Sequence, residues 1–133
     1  MTLPVAPMPD VEQIAINLLA EVLDDSVTVG SEWPENLAQH LPVVAVSLGP
    51  SGGSAIKAVT ASRGLDIDVL AVTKGEARDL AALVSAHLLS AQGTSRPGAQ
   101  IYGVEETSFI WLPDPVTNIP RYVLVMSMVV RPA

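Results

Sequence analysis

Residues 121–131 read RYVLVMSMVVR. Tyr122, Leu124, Met126, Met128 and Val130 alternate with Val123, Val125, Ser127, Val129 and Arg131. A repeat of two is the signature of a β-strand, whose successive side chains point to opposite faces. Both alternating sets are largely apolar, which predicts a strand covered on both sides. One face can pack on helices. The other must meet something else, and a neighbouring subunit is the natural candidate.

The helices and the remaining strands lie upstream. Leu65, Ile67, Val69 and Ala71 alternate with Asp66, Asp68, Leu70 and Val72, a second strand with one buried and one mixed face. It runs into Lys74-Gly75-Glu76, after which Ala77, Leu80, Ala81, Val84, His87, Leu88 and Ala91 recur at helical spacing. An earlier helix is predicted from an Asp10 N-cap to about Asp24, with Val11, Ile14, Ala15, Leu18 and Val22 inward and Ile16, Leu19 and Leu23 widening the face.

Val27 to Gly30 fits a short strand and Val43 to Leu48 a buried one, joined by a connection that holds Trp33-Pro34 and Leu41-Pro42. Gly49 to Ser54 reads as a glycine-rich turn. Ile56 to Ser62 reads as the far arm of a hairpin or a loop. Gln92 to Gln100 is loop, Ile101 to Leu112 is strand, and Pro113 to Pro120 is a proline-bracketed turn. The predicted order is αβββαββ, an α+β class with two helices packed on a mostly antiparallel sheet. Residues 1–9, with three prolines, form an extended arm, and residues 10–133 form one domain. At 133 residues the chain buries roughly 65–70% of its unfolded surface, enough for an ordinary core without staples.

Composition narrows the function. The chain is 49% hydrophobic and only 16% charged, against about 25% charged in typical domains. So neutral a surface fits an assembly in which part of it is buried against other subunits, with a monomer rich in Ala, Ser and Thr as the alternative. The net charge of −7 and the scattered Lys57, Arg63, Lys74, Arg78, Arg96, Arg121 and Arg131 argue against a nucleic-acid interface. Cysteine is absent, which excludes disulfides and Cys-based zinc sites. The longest apolar runs fall far short of the ~20 residues of a membrane span, and the N-terminus lacks the pattern of a secretory signal.

One motif invites a catalytic reading. Gly49-Pro50-Ser51-Gly52-Gly53 matches G-x-S-x-G after a strand, and His87 with Asp66, Asp68 or Asp79 would complete a triad in the right chain order. The residues that follow, Ser54 to Thr60, do not read as a capped helix, and the chain has too few βα units for a hydrolase sheet. No Lys follows Gly53, so it is not a phosphate loop either. His40 and His87 have no metal spacing: His87 falls on the apolar helix face and His40 in a loop. Asp66 and Asp68 share a strand face and read as the solvated side of an edge-exposed strand; Asp24-Asp25 reads as a solvated helix end. No catalytic, metal or cofactor site is predicted. Trp33 and Trp111 suit a core or an interface equally. Arg121 is placed to pair with Asp114 across the turn.

The order of segments resembles the tail terminator proteins of long-tailed bacteriophages. The resemblance rests on Leu41-Pro42-Val43-Val44, on Leu65-Asp66-Ile67-Asp68-Val69 before Glu76-Ala77-Arg78-Asp79-Leu80, and on Trp111-Leu112-Pro113-Asp114-Pro115 and Pro120-Arg121-Tyr122. It spans about Asp10 to Arg131. It implies a structural virion protein at the tail–head junction, a hexameric ring that caps the tail tube, ends its growth and presents a surface to the head connector. Implied partners are other copies of the chain, the tube protein and the connector, with DNA passing through without specific binding. It implies no enzyme and no cofactor. Candidate subunit or tube contacts are Trp33, Ser51, Gly52, Gly53, Trp111, Asp114, Arg121 and Tyr122, and the Gly49 to Gly64 region is an arm able to reach a neighbour or the tube. Another head–tail joining protein and a small acyl hydrolase using Ser51 are the alternatives.

Overall fold

The computed structural model describes residues 7–55 and 60–132. Most of the predicted N-terminal arm, residues 1–6, and residues 56–59 lie outside that range. The elements follow as α1 (Val11–Val22), β1 (Thr28–Gly30), a 3₁₀ turn (Leu37–Gln39), β2 (Val43–Ala55), β3 (Ala61–Leu70), α2 (Lys74–Ser90), β4 (Ser95–Arg96), β5 (Ala99–Trp111) and β6 (Arg121–Pro132). The predicted αβββαββ order holds, with the 3₁₀ turn and the two-residue β4 added to it. The six strands form one sheet in the order β1-β2-β3-β6-β5-β4. Only β1 and β2 run parallel; every other pair is antiparallel.

Both helices begin at capped ends. Asp10 accepts from the Gln13 amide at 3.1 Å, and Thr73 accepts from the Glu76 amide at 3.1 Å. Each satisfies an N–H that the first turn leaves without a partner. The helices lie on one face of the sheet. Ala15, Leu18 and Leu19 of α1 and Ala77, Ala81, Val84 and Leu88 of α2 bury there against Val44, Val46, Leu65, Ile67, Val69, Leu124, Met126, Met128 and Val130. The sheet face is valine, isoleucine, leucine and methionine; the helix face mixes alanine with leucine and valine.

The glycine-rich stretch is strand, where a turn is predicted. β2 runs on through Ala55, and its pairing with β3 shifts register between Leu48↔Leu65 and Gly53↔Arg63. The extra residues on β2 are a bulge, and glycine serves it. A Cβ at Gly49 would stand 2.7 Å from Asp66 Oδ1, so any larger residue would have to displace the neighbouring carboxylate. The described part of residues 49–64 is therefore sheet and not a free arm. Sequence reading errs here because glycine in a strand and glycine in a turn look alike without the partner strand. The β4–β5 turn does use glycine's freedom: Pro97 is followed by Gly98 at φ +79, and Arg96 pairs with Ala99.

Candidate assembly surface

With both helices on one side, the other side of the sheet is the surface to explain. The strand registers put Val123, Val125, Ser127 and Val129 of β6 on that back face, beside Asp68, Asp66, Gly64 and Ser62 of β3 and Ile110, Ser108, Glu105 and Gly103 of β5. Tyr122, Leu124, Met126, Met128 and Val130 are buried toward the helices, while Val123, Val125, Ser127 and Val129 are only half-buried. The two faces of the last strand are thereby told apart.

One end of the back face is covered. The connection between β1 and β2 folds over it, and Trp33 Nε1 donates to Asp68 Oδ2 at 3.0 Å. The Arg121 guanidinium stacks over the Trp33 ring at 5.4 Å, sits 3.9 Å from Asp68 Oδ2, and donates from Nε to the Leu112 carbonyl at 2.8 Å. Arg121 thus joins three segments, and its ion pair is with Asp68, not with Asp114 across the turn. Beneath this cover Val43 and Leu70 are sealed from solvent. β3 is an inner strand, so the reading of Asp66 and Asp68 as the solvated face of an edge strand does not hold. Burial pushes the Asp68 carboxyl above the ordinary carboxylate range, against the opposing pull of the Trp33 hydrogen bond and the Arg121 charge; Asp66 and Asp114 push it the same way as burial.

Asp114 is buried in the β5–β6 turn, where its carboxylate accepts from the Thr117 hydroxyl and, at 2.8 Å, from the Thr117 amide. Those bonds hold its pKa below the ordinary value. The helix side carries an aromatic row: Tyr122 packs against Phe109 and Trp111, and Lys74 Nζ lies 4.6 Å above the Trp111 ring. Tyr122 is buried, whereas Ile110, Trp111 and Leu112 stay substantially exposed. Along with Val72 and Val116 they make one end of the sheet apolar.

The sequence-selected residues thus fall into separate places. Trp33 and Arg121 meet on the back face, Trp111 and Tyr122 on the helix side, and Asp114 caps its own turn. Ser51, Gly52 and Gly53 lie within β2, and Ser51 is not at a strand-to-helix turn. His87 is half-buried beside Leu18, Val22 and Arg96 in a groove between the ends of α1 and α2, and no residue of β2 lines that groove. Among the described residues no group of His, Asp and Glu has the arrangement of a metal site, and no helix is long and apolar enough to cross a membrane. Sequence reasoning missed Asp68 as the node of the back-face cluster. No local signal marks it, because Asp66 stands two residues away in the same strand and the partners Trp33 and Arg121 come from distant segments.

No protein-family model matches the sequence, and no curated protein matches it. Among solved structures, a chain from the virion of the native gene transfer agent particle is similar in fold, with a TM-score of 0.55 and 22% identity over 85% of this chain and 84% of that chain.

Proposed function

We propose that this chain is a structural protein of a phage-like virion, and within the virion a tail terminator: a ring, of six copies by the family resemblance, that caps the tail tube, ends its growth and meets the head connector. The observation that carries the reading is the fold likeness to a gene transfer agent virion chain over most of both chains. The segment resemblance to tail terminators supplies the finer role. The surface is compatible with it: beyond the end that Trp33 covers, the sheet back keeps the half-buried Val125, Ser127 and Val129 beside Asp66 and Glu105, with both helices on the other side. Such a face suits burial against an adjoining protein of the particle. The net charge of −7 suits a channel for DNA, because carboxylates repel phosphates. The reading gives the chain no catalytic step. The G-x-S-x-G residues lie in a bulged strand, and a nucleophile elbow requires a helix to follow directly.

Imaging of particles and native mass spectrometry of the isolated assembly test this. A ring at the tail–head junction with the tube ending on it is the expected result. One or two copies per particle would remove the ring. A ring positioned on the head side, with tubes still of normal length in its absence, would make the chain a neck or adaptor protein instead.

A further inference from the structure

The sheet has two free edges. β1 covers β2 only from Val43 to Ala45, and β4 covers β5 only at Ala99 and Gln100. Beyond these caps, and past the bonds that Gly93 and Thr94 make to Ile101 and Gln92 makes to the Val104 amide, the outward backbone groups of β2 and β5 have no strand partner among the described residues. The Leu48 amide, for example, reaches outward to Glu12 Oε2 at 3.4 Å, a long contact. Soluble proteins normally blunt such edges with lysine, proline, bulges or inward charges. Both strands do so in part: β2 has its bulge after Leu48, and β5 breaks register at Ile101/Gly103 and Glu106/Ser108 and carries Glu105 and Glu106. Between those devices each edge keeps one clean segment. Val46–Leu48 on β2 and Ser108–Trp111 on β5 are in unbroken register with their inner neighbours and carry no charge. They are also where large apolar side chains stand out: Leu48 is 51% exposed, Ile110 47% and Trp111 38%.

Strand direction decides what can join them. β2, β3, β6 and β5 alternate in direction throughout. The two edges of this four-strand run are therefore antiparallel to each other. A rotation that sets copies side by side brings β5 of one against β2 of the next in antiparallel sense, so the ladder continues without a seam. Such a contact is heterologous, the kind that closes into rings. The registers form continuous rows across the sheet, Val46–Ile67–Leu124–Phe109 and Ser47–Asp66–Val125–Ser108. In those rows Ile110 and Trp111 lie level with the part of β2 that β1 already occupies. A stagger of one side-chain repeat clears β1. It sets Trp111 against Val46 and Ile110 against Ser47, each pair on a common face.

We infer that copies of this chain join through edge-to-edge antiparallel pairing of Ser108–Trp111 of one subunit with Val46–Leu48 of the next. The inference rests on the ring reading above and names its contact. The chain contains no cysteine, so engineered thiols report alone. Assembled particles carrying Ser47→Cys and Ile110→Cys together, treated with a short bis-maleimide, should yield a ladder of covalent multimers up to the full ring. Either single variant should yield none beyond dimer. The shifted pair Ser47→Cys with Ser108→Cys tests the stagger. In the unmodified protein, exchange at the Val46–Leu48 and Ser108–Trp111 amides should slow at least about tenfold on assembly, as burial in a ladder requires. Rings seen by imaging with no ladder from either pair and no added protection overturn the edge contact while leaving the ring. Absence of any ring overturns the functional reading and this contact with it.

Discussion

The last strand separates the fold from the assembly, and two adjacent substitutions to aspartate expose the division. Met126 is 1% exposed and faces the helices, while Val125 is half-buried on the back face. Removing the Met126 side chain's packing costs about 2–5 kcal/mol, as for other large buried apolar residues. A carboxylate left unpaired in that core adds several kcal/mol more. The sum is of the order of the whole stability of a domain, about 5–15 kcal/mol. Met126→Asp should therefore be unfolded or nearly so. At Val125 the terms are small. The strand preference of valine over aspartate is worth up to about 1 kcal/mol, and the like charge of Asp66, its cross-strand partner, about 0.2–1 kcal/mol. Val125→Asp should fold, with a modestly lower Tm, yet fail to complete tails if the proposed assembly buries the back face it charges. Thermal unfolding of both variants and a tail-completion assay check this. If Val125→Asp folds and completes tails normally, the back face is not a buried surface, and the assembly reading loses that support. If Met126→Asp also folds with a normal Tm, the core assignment itself is wrong.

Ser51→Ala should leave hydrolysis of short activated esters at the buffer rate, as in the unaltered protein; turnover that the substitution abolishes would reinstate the hydrolase. Ile110→Lys should give a folded subunit that does not join its neighbours, read by unfolding and native mass, whereas normal rings would count against the edge contact. Asp68 holds its proton to a higher pH folded than unfolded, so the folded state loses stability as pH rises through its folded pKa. Asp68→Asn keeps an acceptor for Trp33 and should raise Tm at pH 7, with the gain vanishing once both states are protonated below the ordinary value of 3.8. Asp114 behaves oppositely: its depressed pKa gives stability above 3.8 that is lost as pH falls through the folded value. Asp114→Ala should lower Tm at neutral pH and matter progressively less under acid, and a pH-independent difference would assign its effect to packing.

Periodicity carried most of the fold. The helix faces predicted around Ala15 and Leu18 and around Ala77, Ala81, Val84 and Leu88 are the buried ones, and the N-cap at Asp10 is where the sequence places it. The αβββαββ order follows from the same signal. The Gly49–Ser54 stretch was illegible because a bulge is defined by what the partner strand does; Asp66 beside Gly49 explains the glycine, and nothing in the local sequence does. Sequence proximity points Arg121 toward Asp114, but it lies over Trp33 of the β1–β2 connection and beside Asp68 of β3, partners that only the fold brings to it. The last strand's two apolar sets were visible, but which of them faces the helices depends on the register with β3 and β5, and register is a property of pairs of strands. The back-face cluster was illegible for a related reason: its members come from three distant parts of the chain.

The two tryptophans stand on opposite sides of one sheet, Trp33 over the back face beside Arg121 and Trp111 on the helix side beneath Lys74. They are consequently a built-in pair of optical probes. With Trp33→Phe, the remaining emission comes from the helix side and from the β5 edge; with Trp111→Phe, it comes from the covered end of the back face. Indole emission shifts to shorter wavelength as water leaves its surroundings, so following each single-tryptophan protein during assembly would tell which side of the sheet dries first, with no label attached.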